Sequence, residues 1–263
     1  MSSTPYPNAP AALVAFEIRF PQADGDRRQI QAIASSLHDT LPIAKIEHIQ
    51  QFQFPVGPNP EATSIEVTRF QTRDRTSSAS VWPDRVVVET TKYPGYNSFR
   101  KLIEEVVSVV ASSVAPSGIE RVGLRFVDEV RPPVEPTGLE WRRWVAPELI
   151  GPASLNFQGG APEAWQGAVQ FSVANGVGVV LRYGPRDGYA VNPEGALRRA
   201  TTAPYTSCFV FDSDSFWVAT DSIPEFDPVA IMNLCDELHR PLKEVFEQLV
   251  TDELRIYMAG EAK

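Results

Sequence analysis

Between positions 13 and 20 apolar and polar residues alternate, placing Val14, Phe16, Ile18 and Phe20 on one face and Ala15, Glu17 and Arg19 on the other. A period of two predicts a half-buried strand with a core side and a polar side. Ile30, Ile33, Leu37 and Leu41 then recur at helical spacing behind Asp24 and Asp26, either of which can cap the helix, and the pattern stops at Pro42. Four strands are predicted next, over 43–54, 63–73, 77–82 and 85–91. Turns fall at Pro55-Val56-Gly57-Pro58 and Pro83-Asp84, and linkers this short favour an antiparallel meander. Residues 97–114 carry Phe99, Leu102, Ile103, Val106, Val107 and Val110, a wide apolar stripe suited to a helix lying on a sheet.

The strand pattern returns one half-chain later. Val122, Leu124 and Phe126 point inward and Arg121, Gly123 and Arg125 outward, so that Leu124-Arg125-Phe126 repeats Ile18-Arg19-Phe20. A short helix is expected over 139–149 around Trp141 and Trp144, and a brief strand over 154–158. Further strands are expected over 166–174 and 177–183, flanking Asn175-Gly176, a dipeptide that accepts positive φ at a hairpin turn. Residues 184–204 read as a long loop. Strands over 205–211 and 216–220 are separated by a turn at Asp212-Ser213-Asp214-Ser215. A final helix opens at Asp227-Pro228 and runs to Met258 with a kink before Pro241 and a second break near Thr251.

The fold class read from this is α+β: two tandem β-α-β-β-β-β-α repeats, 11–116 and 117–263, after an extended lead-in over 1–10. The antiparallel sheet is covered on one face by helices. That order resembles the TATA-binding-protein-like arrangement of paired repeats, and a single unit resembles the helix-grip folds. A second resemblance runs through Phe16-Glu17-Ile18-Arg19-Phe20, Thr90-Thr91-Lys92-Tyr93 before Phe99, Arg121-Val122-Gly123-Leu124-Arg125-Phe126, and Leu238-His239 with Phe246 and Thr251. Together these are similar to a sporadically distributed bacterial protein family of about this length. Val127-Asp128 stands here in place of that family's more usual aromatic-isoleucine-asparagine pattern. The resemblance implies no activity, and by association it implies mobile-element or defence loci.

A net charge of −9 disfavours nucleic acid as a partner, because such binding rests on Lys and Arg neutralising phosphates. Two cysteines, and a start without a basic segment or an apolar run, point to a reducing cytoplasm. No apolar stretch approaches the ~20 residues needed to cross a bilayer.

Candidate chemistry is sparse. Cys235 and His239, four apart on one helix with Cys208 elsewhere, have the residue types of a metal site or thiol nucleophile, but Cys235 lies on the apolar stripe, where a free cysteine acts as a small hydrophobe. Asp212 and Asp214 have the spacing of a cation-binding turn, but turn formation and N-capping explain them without any ligand. Neither metal nor cofactor is expected.

The set singled out for binding is Arg19, Arg121 and Arg125 on the polar sheet face, extended by Arg73, Arg75 and Tyr93. Guanidinium groups on a rigid sheet suit carboxylate or phosphate recognition. The competing reading pairs them with Glu17, Glu89 and Glu120 across strands. The expectation is a non-enzymatic binding protein for a protein partner or a small anionic ligand. Its alternative is a small-ligand protein or hydrolase with a cavity between the final helix and the sheet.

Overall fold

The computed structural model describes residues 6–22, 26–53, 61–156, 158–199 and 201–261. The turn expected at Pro55-Val56-Gly57-Pro58 and the first half of the lead-in lie outside them. The first half folds as β1 (Ala11–Arg19), α1 (Arg27–Ser36), β2 (Ile43–Gln53), β3 (Glu61–Gln71), β4 (Ser77–Val81), β5 (Arg85–Thr90) and α2 (Tyr96–Ser113). The second half holds β6 (Arg121–Val130), β7 (Gly167–Ser172), β8 (Val177–Asp187), β9 (Ser207–Val218), α3 (Pro228–Leu249) and α4 (Asp252–Met258).

All nine strands join one sheet in the order β2-β3-β4-β5-β1-β6-β9-β8-β7, with every neighbour antiparallel. The fold is therefore α+β with an antiparallel sheet, and the two halves meet where β1 pairs with β6, Glu17 standing opposite Gly123. Val14, Phe16, Ile18, Val86, Val88, Val122 and Leu124 form one continuous core with Ile33 of α1, Ile103 and Val107 of α2, and Ile231, Cys235, Leu238 and Leu242 of α3. A second cluster gathers Trp141, Trp144, Leu149, Phe209, Phe211, Leu254 and Met258 around the end of α3 and α4.

Local signals explain several boundaries. Asp26 and Gln29 form a reciprocal capping box on α1. Asp227 accepts from the Val229 N–H with Pro228 in the first turn of α3. The Thr251 hydroxyl caps α4, which makes the expected break a true helix boundary. Asn175 and Gly176 reverse the chain at φ of 62° and 74°.

The second half departs from the expected order. Residues 139–149 are not an α-helix but two 3-10 segments, Gly138–Arg143 and Pro147–Leu149, followed by a third, Gly151–Ser154. The brief strand over 154–158 is absent among the described residues. The expected turn at Asp212-Ser213-Asp214-Ser215 is the middle of β9, a single 12-residue strand. The stretch Gly184 to Asp187 belongs to β8, whereas Pro241 lies inside α3 as expected.

Candidate recognition surface

Alternation along each strand puts the odd residues of β6 and the even residues of β9 on the side away from the helices, so Arg125 stands across from Asp214 and Arg121 across from Val218. Charged side chains on this face form a lattice. Glu17 of β1 accepts from Arg19 Nε at 2.8 Å and from Arg121 Nη1 at 2.8 Å, with Arg85 at 3.7 Å. Arg121 also donates to Asp214 at 3.0 Å and lies over the Phe216 ring. Arg125 grips Asp212 through two bonds of 2.6 and 2.8 Å, and Arg182 of β8 approaches the same carboxylate at 3.8 Å. Toward the other edge Arg69 joins Glu47, Ser78 and Glu89.

The competing reading named Glu17 correctly. Glu89 instead serves Arg69, and the further partners are Asp212 and Asp214. These aspartates were missed as guanidinium partners because Asp-Ser-Asp-Ser reads locally as a turn; its strict alternation was the available signal. Burial pushes the Asp214 carboxyl upward against the pull of Arg121 and Arg125. Arg19 and Arg125 keep 44% and 49% of their side chains exposed, which leaves them as the accessible cations of the central strands.

The remaining predicted residues lie elsewhere. Arg73 is exposed on the β3–β4 turn, beside a cleft of about 530 Å³ that Asp74 and Lys92 also line. Arg75, at φ 59°, gives its guanidinium to the Ala196 carbonyl and accepts from the Arg198 N–H. Tyr93 sits on the opposite side of the sheet, edge-on to Phe99 and Phe126 within the helix-side core. It does not extend the arginine surface, because Tyr93 packs into the apolar layer beneath α2 and α3.

Residues 188–199 and 201–206 return across one end of the polar face. Glu129, its side chain 1% exposed, accepts from the Ala190 and Val191 N–H groups, from Arg199 at 2.7 Å and from Arg131 at 3.0 Å. Gln71 and Thr91 hold the Ala196 and Arg198 carbonyls. The expected long loop is thus tied to both halves of the sheet.

On the helix side His239 stacks on Tyr96 with ring centroids 3.6 Å apart, and Asp236 accepts from Tyr96 and from both sides of the Arg100 guanidinium. Burial pushes the Cys235 thiol up to about 11 and, with Lys243, the His239 imidazole down to about 4. Both groups are neutral near pH 7, the opposite of a thiolate-imidazolium pair.

No helix among the described residues is long and apolar enough to cross a membrane. Neither family models nor curated proteins gave a match to this chain.

Proposed function

We propose that the chain is a non-enzymatic binding protein that recognises a protein partner or small anionic ligand on the sheet face its helices leave free. The observation that carries this reading is the ion-pair lattice, where Arg19 and Arg125 are fixed by Glu17 and Asp212 yet stay about half exposed. A guanidinium oriented by one carboxylate is preorganised for a second anion, which lowers the ordering cost of binding. The space beneath α3 supports this reading over a cavity enzyme, since Ile231, Cys235, Leu238 and Leu242 fill it as part of the main core.

In this reading the two halves are repeats related by a twofold axis through the Glu17–Gly123 pair, which makes Arg19 and Arg125 equivalent. Two free, buried thiols suit a cytoplasmic setting. The family resemblance adds an association with mobile-element or defence loci.

The test is native mass measurement with the product of the neighbouring gene, on the parent chain and on the Arg19→Glu/Arg125→Glu variant. A complex that weakens at least tenfold in the variant is expected. A complex indifferent to charge reversal, or no complex at all, overturns the proposal.

A further inference from the structure

The sheet ends in two edges of opposite character. β2 carries Lys45 and Glu47, charged residues of the kind with which natural proteins blunt an exposed edge. β7, Gly-Ala-Val-Gln-Phe-Ser, has no charge and no proline, and among the described residues no strand lies beyond it. The Val173 N–H donates to the Val177 carbonyl in the register that runs through Gly167–Tyr183. In an antiparallel ladder the hydrogen-bonded pairs alternate, so Val169 and Phe171 point their backbone groups into β8. Ala168, Gln170 and Ser172 point theirs outward. Val169, Phe171 and Val173 are 40%, 45% and 39% exposed.

The polar side of this edge carries two exposed arginines, and its two aspartates are engaged elsewhere, Asp187 by Ser207 and Asp212 by Arg125. Arg182 stands directly opposite Ala168 on β8 and is exposed, its nearest carboxylate being the Asp212 that Arg125 already grips. Arg186 lies further along the same face, exposed and in no ion pair among the described residues. Both line a cleft of about 730 Å³ with Gln166, Ala168, Gly184 and Asp212.

We infer that β7 is a docking edge for an extended partner segment in which apolar and acidic residues alternate. Such a segment would complete the ladder on Ala168, Gln170 and Ser172 and lay its apolar residues beside Val169 and Phe171. Its acidic residues would point to the side of Arg182. Two strand spacings, about 10 Å, separate the added strand from β8, and Ala168 is too small to obstruct a glutamate and an arginine meeting over it. A second copy of this chain fits less well: edge-to-edge pairing of two β7 strands brings Arg182 of both copies to one seam, and β7 supplies no carboxylate. This inference rests on the reading of the chain as a binding protein but uses a different surface from Arg19 and Arg125.

The test titrates the full chain into a fluorescent seven-residue peptide of alternating valine and glutamate, read by anisotropy. Saturable binding is expected, at least tenfold weaker for the counterpart with lysine in place of glutamate, and lost for the peptide N-methylated throughout. Gln170→Pro removes only an outward N–H and is expected to abolish binding, while Arg182→Glu weakens it at least tenfold. Arg19→Glu, four strands away from β7, leaves it unchanged, which separates this edge from the sheet-face proposal. The peptide comparisons need no variant, so they decide the matter even if Gln170→Pro fails to fold. Absence of binding, equal binding of both charge types, binding indifferent to N-methylation, or a dimer that Gln170→Pro dissociates would each overturn the inference.

Discussion

The guanidinium of Arg121 lies folded across Gly123, on the spot a Cβ at that glycine would occupy, and from there it reaches Glu17 on the neighbouring strand. In register Arg121 faces Arg19, a like-charge pair, and Glu17 faces Gly123. The missing side chain lets Arg121 turn away from Arg19 and place both arginines on one carboxylate. Gly123→Ala is expected to push Arg121 off Glu17 and cost about 1 kcal/mol in urea unfolding, an effect that shrinks in high salt because the pair is partly solvated. A Glu17→Gln/Arg121→Gln double-mutant cycle should return a coupling of about 0.5–1 kcal/mol; a cycle that closes to zero would remove the pair from the account.

Asp128 offers a second measurement. It sits on the helix side of β6 opposite Phe211, and no hydrogen bond among the described residues reaches its carboxylate. Burial, with a smaller contribution from the Asp212 charge, pushes its pKa up from 3.8 to about 7. The unfolded chain therefore gives up this proton first, and the group lowers stability progressively as pH rises from about 4 to about 7. Asp128→Asn is expected to raise stability at pH 8 by on the order of 4 kcal/mol, from about three pH units at 1.36 kcal/mol each. Near pH 4 the two chains should melt together. An equal difference at both pH values would show that the carboxyl does not titrate in this range.

Glu129 is the reverse case. Burial pushes its pKa up, but the bonds from Arg199, the Val191 N–H and Arg131 outweigh this and hold it below the usual glutamate range. Its stabilising effect is present above the unfolded pKa and fades as pH falls through the lower folded value. Glu129→Ala leaves Arg131 and Arg199 buried without their carboxylate, at a cost of about 3–5 kcal/mol. Hydrogen exchange over 188–206 is expected to rise well beyond the rest of the chain. Unchanged protection there would mean that Gln71 and Thr91 suffice to hold the segment.

Pro241 supplies the simplest change. Inside α3 it has no N–H for the Glu237 carbonyl, the bond every other residue of an α-helix interior makes. Pro241→Ala is expected to stabilise the chain by about 1–2 kcal/mol, visible as a higher melting temperature. A lower one would show that the ring's packing outweighs the missing bond.

What the sequence disclosed follows the range of the interactions involved. β1, the Asn175-Gly176 reversal, the start of α3 and the boundary at Thr251 depend on alternation or on caps a few residues away, and all were legible. β9 depends on distant groups: Asp212 and Asp214 stay extended because Arg125 and Arg121, 87 and 93 residues earlier, neutralise them. Ser213 and Ser215 are buried on the other side. In 139–149 the spacing of Trp141 and Trp144 fits a three-residue turn as well as an α-helix, and Pro147 and Pro152 decide for short 3-10 pieces. Among the candidate residues, Arg19, Arg121 and Arg125 were placed by alternation alone. Arg75 and Tyr93 were not, since a loop capture and a core position leave no period to read.

The place of β1 between β5 and β6 has a consequence for biosynthesis. Of the nine described strands, β1 is made before the others and is a central one, and its second neighbour ends only at Val130. At about 5–20 residues per second the nascent chain holds this apolar strand with one side unpaired for roughly 5–20 seconds. That interval is the window in which a chaperone, or another nascent chain, competes with the protein's own second half.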